Sequence, residues 1–160
     1  MNTNERKIYL AYGSNLNKEQ MAIRCPNAEI LGTANLEGYE LLFRGGRESA
    51  VATIEPKEGS SVPVLLWSIT PRCELALDRY EGFPFLYRKE TVTVKLNGDP
   101  LEAMVYIMNE GKLIGKPSLY YYSIIREGYK ECDFSIDFLN NAVDGCIAET
   151  WKQKINNSTY

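Results

Sequence analysis

Lys7-Ile8-Tyr9-Leu10-Ala11-Tyr12-Gly13-Ser14-Asn15-Leu16 is an apolar, aromatic run that breaks at Gly-Ser-Asn and passes directly into a helical pattern. The order predicts a strand, a loop and a helix. Gly13 can take backbone angles closed to other residues, and Ser14 and Asn15 are cap-forming types for the helix that follows. The first amides of a helix have no partner within it, so such a loop can hold a carboxylate or a developing oxyanion by backbone alone. The same composition also suits a plain strand-to-helix turn, and these ten residues do not decide between the two.

Composition narrows the choices around this run. With 160 residues, 44% of them hydrophobic, the chain can bury a real core but is short for two. A single domain over residues 1–160 is expected, with a frayed tail over 156–160. The formal net charge is −3 and the basic residues are scattered, which leaves no footprint for a phosphate backbone; nucleic acid is not an expected partner. No apolar run approaches the ~20 residues of a bilayer span, and residues 1–7 lack a signal-peptide core. No membrane contact and a cytoplasmic location are expected.

Cys25, Cys73, Cys132 and Cys146 form no C-x-x-C pair, and histidine is absent. Zinc and redox sites lose their usual ligands, so no metal is expected and the cysteines read as free thiols. The lack of histidine also removes Ser-His and Cys-His nucleophile systems. Proton transfer near pH 7 must then fall to a carboxyl, Tyr, Lys or Cys of shifted pKa.

Beyond the opening run, residues 17–25 read as a short helix stopped by Pro26, and residues 28–44 as extended segments bent at Gly32 and Gly38. Residues 50–54 and 62–69 read as two buried strands separated by Glu58-Gly59-Ser60-Ser61, with Pro63 at an end or an edge. Thr70 as cap, Pro71 at the first position and Gly82 as a left-handed terminator frame a helix over 71–81. Residues 86–96 and 101–108 flank Asn97-Gly98 as a hairpin. Ser118 caps another helix, and the steps Ile136, Leu139, Val143, Ile147, Trp151, Ile155 mark a last one from about Ser135. Strands early and helices late give an α+β class with a largely antiparallel sheet.

Glu81 is the carboxyl best placed for chemistry. It ends its helix, where unpaired carbonyls disfavour a further negative charge, and Tyr80, Phe83, Phe85 and Tyr87 stand nearby in sequence. Both effects raise its pKa, although a Glu before a helix-ending Gly is also an ordinary solvated residue. Tyr12, Tyr87 and Tyr121 are each compatible with a ligand contact or with core packing. Tyr120-Tyr121-Tyr122 cannot all point one way, so one lies at the surface or at a partner interface; a homodimer is left open.

Read together, Tyr12-Gly13-Ser14-Asn15-Leu16, Leu77-Asp78-x-x-Glu81-Gly82 and Pro117-Ser118-x-x-Tyr121 resemble the γ-glutamylcyclotransferase-like (AIG2-like) family in order and spacing. The likeness extends over residues 9–134, with 51–54, 62–67 and Gly128 also in register. It implies a small mixed barrel or sheet with flanking helices and a pocket between the first-strand loop and the glutamate. It further implies Glu81 as general acid/base, the stretch Tyr9, Leu10, Ala11, Tyr12, Gly13, Ser14 and Asn15 as the surround of the glutamyl end, and Tyr87 and Tyr121 as further substrate contacts. The reaction implied converts a γ-glutamyl amino acid or amine to 5-oxoproline and the free amine, without a cofactor. Val64 replaces a Gly common in the family, and Tyr80-Glu81-Gly82-Phe83-Pro84 looks more like bacterial relatives of open substrate. The other class compatible with the same residues is a non-catalytic relative that binds a γ-glutamyl-like metabolite or serves as a scaffold. If the site is active, Phe83, Phe85, Tyr87 and Tyr121 are expected to present an aromatic wall to the leaving group, on the condition that strand alternation sends Arg88, the nearest cation in sequence, away from Tyr87 and out of the pocket.

Overall fold

The structure is a computed structural model that describes residues 5–157. Its central strand is β1 (Lys7–Ala11), the start of the quoted run, where Tyr9, Leu10 and Ala11 are buried. Strands β2 (Glu29–Gly45), β3 (Ala50–Ile69), β4 (Tyr87–Leu96) and β5 (Asp99–Met108) complete a sheet in the order β2-β3-β1-β5-β4. Only β1 and β5 run parallel, with Tyr9 opposite Met104; the other neighbours are antiparallel. The two ends of this order curl toward each other. A Cβ added at Gly32 of β2 would sit 3.0 Å from the Leu96 side chain of β4, which gives the barrel-like shape the resemblance implies.

The helices end where local chemistry ends them. In α2 (Pro71–Glu81) the Thr70 hydroxyl accepts from the Cys73 N–H at 3.2 Å, and Gly82 closes the helix at φ 63°. The Ser118 hydroxyl accepts from the Tyr121 N–H at 3.1 Å to start α3 (Leu119–Glu131). Helix α1 (Lys18–Arg24) follows the first loop, and α4 (Ile136–Asn157) ends the described chain. Gly128 is needed for a close approach: a Cβ there would lie 2.7 Å from Leu16 Cβ, so its absence lets α3 press against the loop after β1.

Three expectations are corrected and one is narrowed. The segments 50–54 and 62–69 are one strand, because the ladder passes from Tyr39↔Pro56 to Glu37↔Ser61; residues 57–60 bulge out and pairing resumes beyond them. Pro63 is mid-strand rather than at a strand end, but it sits where β3 has β2 alone as its paired neighbour, since pairing with β1 ends at Leu65, so the edge alternative holds. The helix cap is Asn17, whose side chain accepts from the Gln20 N–H at 3.0 Å, while residues Ser14–Leu16 form a separate 3-10 turn. Cys25 and Cys73 are joined by a disulfide, and only Cys132 and Cys146 are free; the fold brings the end of α1 against the first turn of α2 across 48 residues of sequence. Of the expected tail, residues 156–157 belong to α4 and 158–160 lie outside the described residues. Among the described residues no helix is long and apolar enough to cross a membrane.

Candidate active site

Strand β1 covers β3 only from Leu65 to Ile69, and further along the strand two tyrosine hydroxyls stand beside β3. The Ala52 N–H donates to the Tyr121 hydroxyl at 3.0 Å, and the Ala52 carbonyl accepts from the Tyr87 hydroxyl at 2.6 Å. A pocket of about 220 Å³ opens at this place. Tyr9, Tyr12, Gly13 and Ser14 form one side of it and Tyr80 and Glu81, from the last turn of α2, another. Leu86, Tyr87, Tyr106 and Tyr121 complete the wall.

Glu81 is half-buried at the pocket, and none of the described residues donates a hydrogen bond to its carboxylate. Burial pushes its pKa up to about 7, against the opposing pull of the Arg24 guanidinium. The expected direction holds, with desolvation, one of the two expected causes, as the largest influence. The surrounding phenols stay protonated: burial, with the Glu81 charge adding to it, raises the pKa of Tyr9 and Tyr12 well above the usual range. At neutral pH the site therefore holds one carboxyl near its midpoint among neutral hydroxyl groups.

The loop facing Glu81 is fixed from behind. Asn15 donates to the Tyr9 hydroxyl at 2.9 Å, accepts from Arg24 Nη1 at 2.9 Å, and its carbonyl accepts from the Trp67 indole at 3.1 Å. The bonds of the 3-10 turn begin with Leu16 N–H to the Gly13 carbonyl, so the amides of Ser14 and Asn15 precede those the turn uses. Gly13 is close-packed, since a Cβ would lie 3.2 Å from Ala52 Cβ and 3.6 Å from the Tyr121 hydroxyl. The Ser14 and Tyr80 hydroxyls meet at 2.8 Å and join the loop to α2.

Of the residues singled out in the sequence, Glu81, Tyr9, Tyr12, Gly13, Ser14, Tyr87 and Tyr121 come together at the pocket. Leu10 and Ala11 do not line it; they are 0% and 1% exposed, covered within the sheet. Asn15 also does not line it, its side chain being spent on Tyr9 and Arg24. The aromatic wall is differently composed. Phe85 is 90% exposed, and Phe83 packs edge-on to Tyr106 with Lys89 over its ring. Their places are taken by Tyr80, Leu86 and Tyr106. Arg88 does turn away, to Glu90 and the Met108 carbonyl. The cation whose field reaches Glu81 is Arg24, which no motif marked; its place on α1 four residues past Gln20, one helical turn beyond the Asn17–Gln20 cap, was the available signal. Among the described residues no cluster of three or more Cys, Asp and Glu is arranged to hold a metal ion.

The gamma-glutamyl cyclotransferase, AIG2-like family model matches residues 9–127. The chain is 29% identical to a gamma-glutamylcyclotransferase of Bos taurus over 143 residues, spanning 84% of this chain and 76% of the relative. It is 28% identical to the Homo sapiens gamma-glutamylcyclotransferase over the same length and shares. A solved structure of a gamma-glutamyl cyclotransferase matches with a TM-score of 0.78 at 26% identity, covering 86% of each chain.

Proposed function

The chain belongs to the gamma-glutamyl cyclotransferase, AIG2-like family, and on that premise we propose that it converts a γ-glutamyl amino acid or γ-glutamyl amine to 5-oxoproline and the free amine, with Glu81 carrying the proton. The observation that carries this reading is the Glu81 carboxyl itself: it faces the pocket, is unbonded by the described residues, and has a pKa raised to about 7.

The substrate's α-ammonium must lose a proton before it can attack. The Glu81 carboxylate accepts it, and the freed amine bonds to the γ-carbonyl carbon, closing a five-membered ring and placing negative charge on the carbonyl oxygen. Collapse of that intermediate breaks the bond to the leaving nitrogen, which takes the proton back from Glu81, while the ring nitrogen releases its second proton to solvent and becomes the lactam N–H. One carboxyl thus serves both transfers, and a pKa near neutrality suits it to each. Nucleophile and electrophile belong to one molecule, so the protein's main task is to fold it and to stabilise the oxyanion. The amides ahead of the 3-10 turn and the Tyr121 hydroxyl are the donors suited to that task, and no step requires a cofactor.

The test is 5-oxoproline release from a panel of γ-glutamyl amino acids and amines by the wild type and by Glu81→Gln. The reading expects release by the wild type and its loss in a folded variant. A wild type that binds these compounds without releasing 5-oxoproline would instead support a binding protein.

A further inference from the structure

Arg24 stands behind the pocket in an arrangement that the reaction above does not use. It is half-buried, and its two terminal nitrogens donate to Asn15 Oδ1 and Gln20 Oε1, both at 2.9 Å. Its guanidinium carbon lies 3.4 Å from the centre of the Tyr80 ring. No described carboxylate forms an ion pair with it, whereas Arg6, Arg44 and Arg88 each have one. A half-buried guanidinium held by neutral acceptors keeps its field, and the fork and stacked plane set its position more tightly than a lysine ammonium would be set.

Of the three groups that Arg24 holds, Asn15 and Tyr80 are on opposite sides of the site. Asn15 belongs to the loop and fixes the Tyr9 hydroxyl; Tyr80 adjoins Glu81 and meets Ser14 across the pocket edge. We propose that Arg24 is a positioning residue of this site, clamping the loop through Asn15 and the end of α2 through Tyr80, the neighbour of Glu81, and that its unpaired charge favours the Glu81 carboxylate. The groups around Glu81 on the other elements, Tyr9 and Tyr12 from β1 and its loop, Tyr87 from β4, Tyr106 from β5 and Tyr121 from α3, are neutral phenols at working pH. Arg24 is accordingly the cation that favours the Glu81 carboxylate.

The kinetic part of this proposal rests on the cyclotransferase reading, so one readout is independent of turnover. The Glu81 carboxyl is titrated by carbon NMR in wild type, Arg24→Gln and Arg24→Lys, and 5-oxoproline kinetics are run alongside. Arg24→Gln is expected to shift the Glu81 midpoint upward and to lower kcat/KM by about 10-fold to 10²-fold, as for misplacement of a site group. Arg24→Lys keeps the charge but loses the fork and the stack, so its midpoint should stay near the wild type while KM rises. If Arg24→Gln does not fold, the lysine variant decides: wild-type KM in it overturns the clamp. An unmoved Glu81 midpoint in folded Arg24→Gln overturns the electrostatic role. Absence of 5-oxoproline from the wild type would overturn the reaction, while the titration would still test Arg24.

Discussion

The Tyr121 hydroxyl accepts a hydrogen bond from the Ala52 N–H at 3.0 Å, so its own proton is left to donate. The hydroxyl thereby completes the edge of β3 and also offers a donor at the pocket. Tyr121→Phe should lose both. The orphaned Ala52 amide predicts a stability loss of ~1–3 kcal/mol in urea denaturation, and loss of a donor to the developing oxyanion predicts a fall in kcat of about 10²-fold. Wild-type turnover in the variant would remove Tyr121 from the reaction.

Glu81 should cost the folded protein stability at the pH where it works. Its pKa is raised from 4.5 to about 7 on folding, so the folded state holds the proton more tightly and stability falls as pH rises through that interval. At about 1.4 kcal/mol per pKa unit, the penalty above pH 7 approaches ~3 kcal/mol. Glu81→Gln should therefore match the wild type in stability at pH 4 and exceed it at pH 8, with urea midpoints as the measurement. Equal stability at both pH values would show that the carboxyl is not desolvated.

The disulfide between Cys25 and Cys73 spans 48 residues, and a cross-link of that length restricts the unfolded chain by about 4 kcal/mol in the loop-entropy treatment. The double variant Cys25→Ser, Cys73→Ser should lose stability up to that amount. A non-reducing peptide map of the wild type should contain the Cys25–Cys73 peptide; finding both as free thiols would contradict the link.

Much of this architecture is legible in the residues, for local reasons. Thr70, Pro71 and Gly82 bound α2 by rules that act within one turn, and Asn97-Gly98 closes the β4–β5 hairpin in the same way. Glu81 and the 12–15 loop could be singled out because both sit at the ends of such elements. What could not be read depends on contacts distant in sequence. The bulge at 57–60 is absorbed only because β2 pairs on both sides of it, and the disulfide joins two helices that meet only in the fold. Phe83 and Tyr80 are both close to Glu81 in sequence, yet the helix turn sends Tyr80 to the pocket and leaves Phe83 against Tyr106.

Apart from Glu81 the pocket is lined by no charged side chain and its larger wall residues are tyrosine and leucine, with Arg88 bonded to Glu90 and Arg44 to Glu55 away from it. Apolar surface buried there contributes roughly 25 cal/mol per Å², and Tyr80 stands between the pocket and Arg24. γ-Glutamyl derivatives of apolar amino acids or amines should show higher kcat/KM than γ-glutamyl-glutamate. Equal or better turnover of the acidic compound would place a cation in the site.

The most direct test of Glu81 as the proton carrier is kcat/KM for 5-oxoproline release as a function of pH, measured in wild type and Glu81→Gln. The carboxylate is the form that accepts the ammonium proton, so wild-type activity should rise with pH along a limb centred near the Glu81 pKa of about 7. In folded Glu81→Gln activity should fall by ~10²–10⁴-fold and the limb should vanish. A Glu81→Gln protein that keeps near-native release with the same limb would contradict the account.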